Sequence, residues 1–235
     1  MRILAALAAA AALLLAAGPA AAQTPRRAAT AWVKVVTKTP EGGYRQGNPN
    51  AQIKLVEYGA RTCPTCRAFA MEGMEPLRRD WIATGKLSYE FRDLLVHGAP
   101  DLALALLNQC VPTPRFFDTL DLLFVNQALF DGPLHKMMDS QPAVIEGYQK
   151  LPPAQAAPRF AEALGMIAFM KARGLPEAQA RKCLSDPGLI RGIATTQAGG
   201  VNAGVTGTPS FFVNGRRVRA YSWDQLLPEL RAVGG

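Results

Sequence analysis

The sequence predicts an α/β fold in which a small central mixed β-sheet is flanked by helices and interrupted by an inserted all-helical subdomain. Three observations carry this. Strand-patterned runs occur only before residue 93 and after residue 209, and the block between them, from 98 to about 203, reads almost wholly as helix. Cys63-Pro64-Thr65-Cys66 stands where one strand-like run gives way to a helical pattern.

The start of the chain reads as a secretory signal. Met1-Arg2 is followed by an apolar stretch from Ile3 to Ala17 and by Ala20-Ala21-Ala22 before Gln23, which predicts cleavage after Ala22. A membrane anchor is the alternative, but an apolar stretch of about 15 residues falls short of the roughly 20 needed to span a bilayer. No cysteine follows the cleavage point, which argues against lipid anchoring. The expected product is exported to the periplasm, where disulfides persist. The expected division is a signal peptide over 1–22, the first part of a domain over 23–97, a helical insertion over 98–190 and the second part of the same domain over 191–235. The net charge of +8 is scattered in pairs such as Arg26-Arg27, Arg78-Arg79 and Arg216-Arg217. That is a solvated cationic surface, and it argues against nucleic acid as a partner.

Taken in order, residues 23 to 30 read as a flexible lead-in and Trp32 to Lys38 as an edge strand. Glu41-Gly42-Gly43 through Asn48-Pro49-Asn50 has loop chemistry. Ile53 to Tyr58 predicts a strand apolar on both faces, hence central in its sheet. From Pro64 a helical stripe runs through Cys66, Phe69, Ala70, Met74, Leu77 and Trp81. Pro64 suits the first helical position, where a missing N–H is harmless, and Pro76 should kink the helix. Leu87, Tyr89 and Phe91 alternate with polar residues as a third strand. Within the helical block, breaks are expected at Pro112–Pro114, Asp131-Gly132-Pro133, Leu151-Pro152-Pro153, Gly174 and Asp186-Pro187-Gly188. Ser210–Val213 and Arg216–Val218 read as strands joined by Asn214-Gly215, a strong hairpin signal. A last helix opens at Ser222, with Gln225 as partner in a capping box.

Two cysteines three apart at a helix start share one face of the first turn, with Cα atoms about 5 to 6 Å apart, a spacing that suits a disulfide. The free N–H groups of the helix terminus favour the thiolate of the outer sulfur. This points to thiol–disulfide exchange, with Cys63 as the exposed attacking thiol and Cys66 as the shielded resolving thiol. Pro64 and Thr65 carry no charge, so the helix terminus should do most of the work of acidifying Cys63. The alternatives are a structural disulfide or half of a metal site. A metal site would want another closely spaced pair, whereas Cys110, Cys183, His97 and His135 are isolated in sequence. Glu57, six residues before Cys63, lies in an otherwise apolar strand. There its pKa should rise and it could exchange a proton with Cys66. The alternative is a strand-end carboxylate reaching solvent.

The element order resembles a thioredoxin fold with a helical insertion, and the sequence resembles the DsbA-like thiol:disulfide interchange proteins. Three segments carry the resemblance: Gly47-Asn48-Pro49-Asn50; Glu57-Tyr58 with Cys63-Pro64-Thr65-Cys66; and Gly204 through Gly215, which includes Thr208-Pro209-Ser210. It covers nearly all of the chain after the signal. It implies a protein-disulfide oxidoreductase without cofactor or metal, with a proton-exchanging carboxylate at Glu57. It also implies a cis peptide at Pro209 facing the redox pair, so that the Thr208 backbone can pair with an extended substrate. The implied partners are reduced or unfolded exported proteins and a membrane or quinone-linked reoxidising partner.

Thr65 departs from the histidine that the best-known oxidases of the family carry there, which implies a less stabilised thiolate. Thr208 before the proline is common in the related isomerases, but those carry a dimerisation domain that the roughly 30 residues between the signal cleavage point and Ile53 cannot hold. The reading is therefore a monomeric oxidase. A disulfide isomerase or reductant, or a non-redox peptide-binding chaperone, is the alternative.

Cys110 and Cys183 form an even leftover pair, which in an oxidising compartment suggests a structural disulfide. Two buried free thiols are the alternative. His97 and His135 read as surface residues. Met137, Met138, Met166, Met170, Phe116 and Phe117 read mainly as core, some of them as the wall of an apolar groove for unfolded clients.

Overall fold

A computed structural model describes residues 32–234, so the signal and lead-in expected over 1–30 lie outside the described residues. Six strands form one sheet: β1 (Val36–Lys38), β2 (Tyr44–Gly47), β3 (Ile53–Gly59), β4 (Leu87–Asp93), β5 (Ser210–Val213) and β6 (Arg216–Val218). Their spatial order is β1-β2-β4-β3-β5-β6, with β3 and β4 parallel and every other neighbouring pair antiparallel. β3 and β4 take the two middle places of the sheet, the central position expected for β3 from its apolar run. Helix α1 (Pro64–Pro76) leaves the end of β3 and packs back on the sheet with α3 (Phe116–Val125) and α10 (Trp223–Gly234). Phe69, Leu77, Phe91, Phe116, Phe211 and Leu226 fill the space between them.

Between β4 and β5 the chain is helical. Helix α2 (Ala99–Gln109), a 3₁₀ turn (Thr113–Arg115) and α3 are followed by α4 (Ala128–Ser140), α5 (Pro142–Gln149), α6 (Pro153–Ala163), α7 (Met166–Lys171), α8 (Glu177–Leu184) and α9 (Pro187–Asn202). These helices share a second core around Leu104, Leu107, Phe160, Met166 and Leu184. Helix α9 packs on β4 and on α2, so residue 190, the expected boundary, falls inside a helix that contacts both the sheet and the helical region. Gly200 lets α9 approach the sheet closely, because a Cβ there would lie 2.7 Å from the Tyr58 ring. Asn214 and Gly215 both have positive φ, 50° and 79°, the two-residue turn expected between β5 and β6.

Four local expectations are revised. The strand expected over 32–38 is only Val36–Lys38, because Trp32 and Val33 are helical. The stretch read as loop contains β2, whose four residues are too few to show a period. That strand is fixed by pairing to β1, just before it, and to β4, far along the chain. Pro133 does not break α4, since burial of Phe130 and Leu134 on either side of it holds the helix. Gln225 accepts from the Tyr221 N–H at 2.8 Å, one residue earlier than a capping box would require. The expected kink at Pro76 takes the form of a change of helix type: α1 ends there and a π-helical turn follows over Leu77–Ile82.

Candidate active site

Strand β3 ends at Gly59, and Ala60-Arg61-Thr62 carry the chain to Cys63, the N-cap of α1. This short segment is held at several points, although Arg61 Nη2 is buried without a hydrogen-bond partner. The Arg61 guanidinium is buried, pairs with Asp93, donates through Nε to Asn108 Oδ1 at 3.0 Å and lies over the rings of Phe91 and Phe116. The Thr62 backbone N–H and hydroxyl both donate to Asp101 Oδ1, at 3.2 and 2.7 Å. A hydroxyl has one hydrogen, so His97 Nδ1, 2.6 Å from Thr62 Oγ1, is the donor of that pair. Gln127, at the junction of α3 and α4, donates through Nε2 to the carbonyls of Arg61 at 2.8 Å and Cys63 at 3.0 Å. The helical region thus grips the turn that presents the first cysteine.

The two thiols are free and lie at the first turn of α1. Cys63 Sγ accepts from the Cys66 N–H at 3.4 Å and donates to the Thr208 carbonyl at 3.4 Å. The Thr208–Pro209 peptide is cis. Cys63 was expected to be exposed, yet only 7% of its surface reaches solvent against none for Cys66, because the Thr208 loop lies against it. Pro64 and Thr65 face solvent.

The thiols are driven apart in acidity. The Cys66 thiol, above all, holds Cys63 down at about 5 by hydrogen bonding. Burial opposes this, while hydrogen bonds from the Thr208 side chain and the backbone N–H groups of Cys66 and Thr65 assist it. The neighbouring sulfur is therefore the largest contributor, which corrects the expectation that the helix terminus would do most of the work. Burial pushes Cys66 well above its ordinary value, as do its hydrogen bond to Cys63 and the charges of Glu57 and Cys63.

Glu57 is 1% exposed and its burial raises it to about 8, against the pull of a hydrogen bond from Tyr89. The Tyr89 hydroxyl donates to Oε2 at 2.6 Å, and Oε1 is buried without a partner. Glu57 does not reach solvent. The fold thus brings together Cys63, Cys66, Glu57 and Thr208 with Pro209. Cys110 and Cys183 are joined elsewhere, with an S–S distance of 2.05 Å, where they tie the end of α2 to α8.

The sequence reading had not singled out Arg61, Thr62, Tyr89, Asp101 or Gln127, and it had treated His97 as plain surface. Tyr89 pairs in register with Leu55, two residues from Glu57 on the same face, a relation visible only once the parallel register is known. Among the described residues no group of three or more His, Cys, Asp or Glu side chains could hold a metal ion, and no helix is long and apolar enough to cross a membrane.

A family model described as Thioredoxin matches residues 39–230. The crystal structure of a protein-disulfide isomerase from Novosphingobium aromaticivorans superposes with a TM-score of 0.77 at 31% identity, covering 83% of this chain and 98% of that one. Wolbachia pipientis alpha-DsbA1 shares the fold, with a TM-score of 0.62 at 18% identity over 82% of this chain and 91% of its own. A Rickettsia prowazekii protein named as a protein-disulfide oxidoreductase is 24% identical over 194 residues, which is 82% of this chain and 62% of that protein. The chain thus spans somewhat less than two thirds of the curated relatives it matches.

Proposed function

This chain belongs to the thioredoxin family, and on that premise we propose that it is a DsbA-type protein-disulfide oxidoreductase that introduces disulfides into exported proteins through Cys63 and Cys66. The observation that carries the reading is the split between the two thiols: Cys63 is held at about 5 beside the Thr208 carbonyl, while Cys66 is buried and pushed up.

In the oxidised protein a client thiolate attacks Cys63 Sγ. A client–Cys63 bond forms, the Cys63–Cys66 bond breaks, and Cys66 leaves as a thiolate. Being weakly acidic it needs a proton, and Glu57, at about 8, still carries one at neutral pH. A second client thiolate then attacks the client sulfur and expels Cys63 as a stable thiolate, a good leaving group because its pKa is low. The client loses two electrons as its disulfide forms, and the Cys63–Cys66 pair gains them. A membrane or quinone-linked partner reoxidises the pair. Thr208 and Pro209 align the client by strand-like pairing. The apolar leader at the start of the sequence supports export to the periplasm, and the protein acts there as a monomer.

The test is oxidation of reduced ribonuclease by the oxidised protein. Wild type restores ribonuclease activity with loss of one Cys63–Cys66 disulfide per client disulfide, and Cys63→Ser does not. Protection of the reduced client from aggregation by both wild type and Cys63→Ser, with no client disulfide formed by either, would leave only a peptide-binding chaperone. The likeness to a solved protein-disulfide isomerase favours a second reading, isomerisation. Reactivation of scrambled ribonuclease by the reduced protein, faster than oxidation of the reduced substrate by the oxidised one, would select it.

A further inference from the structure

Beside Pro209 lies a cavity of about 420 Å³ that the exchange mechanism does not use. Its walls include Pro209, Ser210, Arg217, Arg219 and Tyr221, and no acidic residue lines it. It sits where the hairpin of β5 and the edge strand β6 meets the loop whose Thr208 carbonyl touches Cys63.

The charge in this cavity is uncompensated. Arg216, just outside it, has a carboxylate partner in Glu229 at 2.7 Å. Arg217 donates only to neutral acceptors, the Gly204 carbonyl and Ser210 Oγ. Arg219 is exposed and makes no hydrogen bond or ion pair with any described residue. Elsewhere Arg61, Arg78, Arg79, Arg92 and Arg181 are each matched with a carboxylate, while Arg45, Arg67, Arg115 and Arg173 donate only to neutral acceptors. What sets Arg217 and Arg219 apart is that both line one cavity beside Pro209. Tyr221, 56% exposed, adds an aromatic wall with a hydroxyl at its edge. Two unmatched guanidinium groups beside an exposed aromatic ring suit a carboxylate-bearing side chain.

A client strand laid along the Thr208 backbone brings this cavity into its path. Side chains on one face of an extended strand recur about every 6.8 Å. A residue two or four positions from the reactive client cysteine is then the one placed to meet the cavity, which shares Pro209 with the client-pairing loop.

Resting on the oxidoreductase reading above, we propose that this cavity reads the client. Arg217 and Arg219 take the carboxylate of an Asp or Glu flanking the client cysteine, so that cysteines in acidic segments are oxidised in preference to those in neutral or basic ones.

The test uses the oxidised protein and synthetic dithiol peptides in which a single Asp, Asn or Lys is walked across the four positions on either side of one cysteine. The second-order rate of Cys63–Cys66 reduction is followed at low ionic strength. The expected result is that Asp at one or two of these positions reacts about fivefold faster than Asn, the size of a well-made exposed ion pair, and that Lys reacts more slowly. Arg219→Glu should abolish or invert the preference, and Arg217→Ala should weaken it. Arg191→Glu, an equal charge change on the exposed face of α9, should leave it intact, which separates the cavity from the general attraction of a cationic protein. Dithiothreitol, which is neutral, should reduce all variants at the wild-type rate and so reports that each is folded. Equal rates for Asp and Asn peptides, or a preference that survives in Arg219→Glu, overturn the inference while leaving the oxidoreductase reading standing. Failure of wild type to react with dithiothreitol or any peptide overturns both.

Discussion

The Tyr89 hydroxyl donates a 2.6 Å hydrogen bond to Glu57 Oε2, with both side chains fully buried, while Glu57 Oε1 has no partner. The bond stabilises the carboxylate, so it draws Glu57 down against the burial that raises it to about 8. Tyr89→Phe removes that donor without a change of shape and should raise Glu57 further. A hydrogen bond to a charged group is worth about 1.5–3 kcal/mol, so a shift of about one to two units is expected. The readout is the pH profile for resolution of the mixed disulfide, whose upper limb should move to higher pH while the limb set by Cys63 stays in place. An unmoved upper limb would remove Glu57 from the proton path.

The acidity of Cys63 is a stability statement about the reduced protein. Its folded pKa, about 5, lies below its ordinary value of 9.0, so the stabilisation it supplies is fully present above pH 9. That stabilisation declines as pH falls toward 5 and is gone below it. Integrated over that window it is at most about 5 kcal/mol, at 1.36 kcal/mol per unit, and less once solvent screening of the partly exposed sulfur is allowed for. Thermal unfolding of the reduced protein relative to the oxidised one should therefore improve between pH 5 and pH 8. Cys66→Ala removes the largest single cause of the shift. It should raise the Cys63 midpoint, followed by thiolate absorbance near 240 nm, by more than a unit on the same scale. A midpoint that stays near 5 would return the credit to the helix terminus.

Much of this arrangement was legible in the sequence, for reasons that differ from part to part. The CPTC turn could be read because it is local: a cysteine at the N-cap and proline at the first helical position are fixed by their own neighbours. The Asn214-Gly215 turn is local in the same way. Glu57 stood out because a carboxylate in an apolar strand has few explanations, and its burial follows from the central position of β3. Tyr89, Asp101 and Gln127 were not legible. Their importance comes from contacts across 32, 39 and 64 residues of chain, and each looks ordinary in its own segment. β2 escaped for the same reason, as four residues paired with strands on either side leave no pattern of their own.

The disulfide between Cys110 and Cys183 closes a loop of 73 residues, and neither sulfur belongs to the constellation around Cys63. Chain-entropy arguments give about 4 kcal/mol as an upper guide for a closure of this length. The double variant Cys110→Ala/Cys183→Ala should therefore lose up to about 4 kcal/mol in urea unfolding. It should retain the wild-type rate with dithiothreitol at temperatures where it is folded. A fall in that rate at full folding would tie the second cystine to the site.

Gln127 gives the helical region its direct hold on the reactive turn. Its side-chain amide supplies the Arg61 and Cys63 carbonyls with hydrogens from a distant part of the chain. Gln127→Ala leaves the buried Arg61 carbonyl without its donor, while the Cys63 carbonyl keeps the Arg67 N–H at 3.1 Å, and such a loss costs about 1–3 kcal/mol when no water replaces it. The cost should show as reduced stability and also as a slower, less uniform reaction at Cys63, since the turn that positions the sulfur loses its clamp. Gln127→Glu is the sharper variant. It keeps the size of the side chain but points carboxylate oxygens at two carbonyl oxygens and adds a negative charge near the thiolate. That charge should raise Cys63 above about 5, and the thiolate titration should report a shift larger than that of Gln127→Ala. If both variants react with dithiothreitol as wild type does, the clamp serves folding alone and the geometry at Cys63 is set by Asp101 and Thr208.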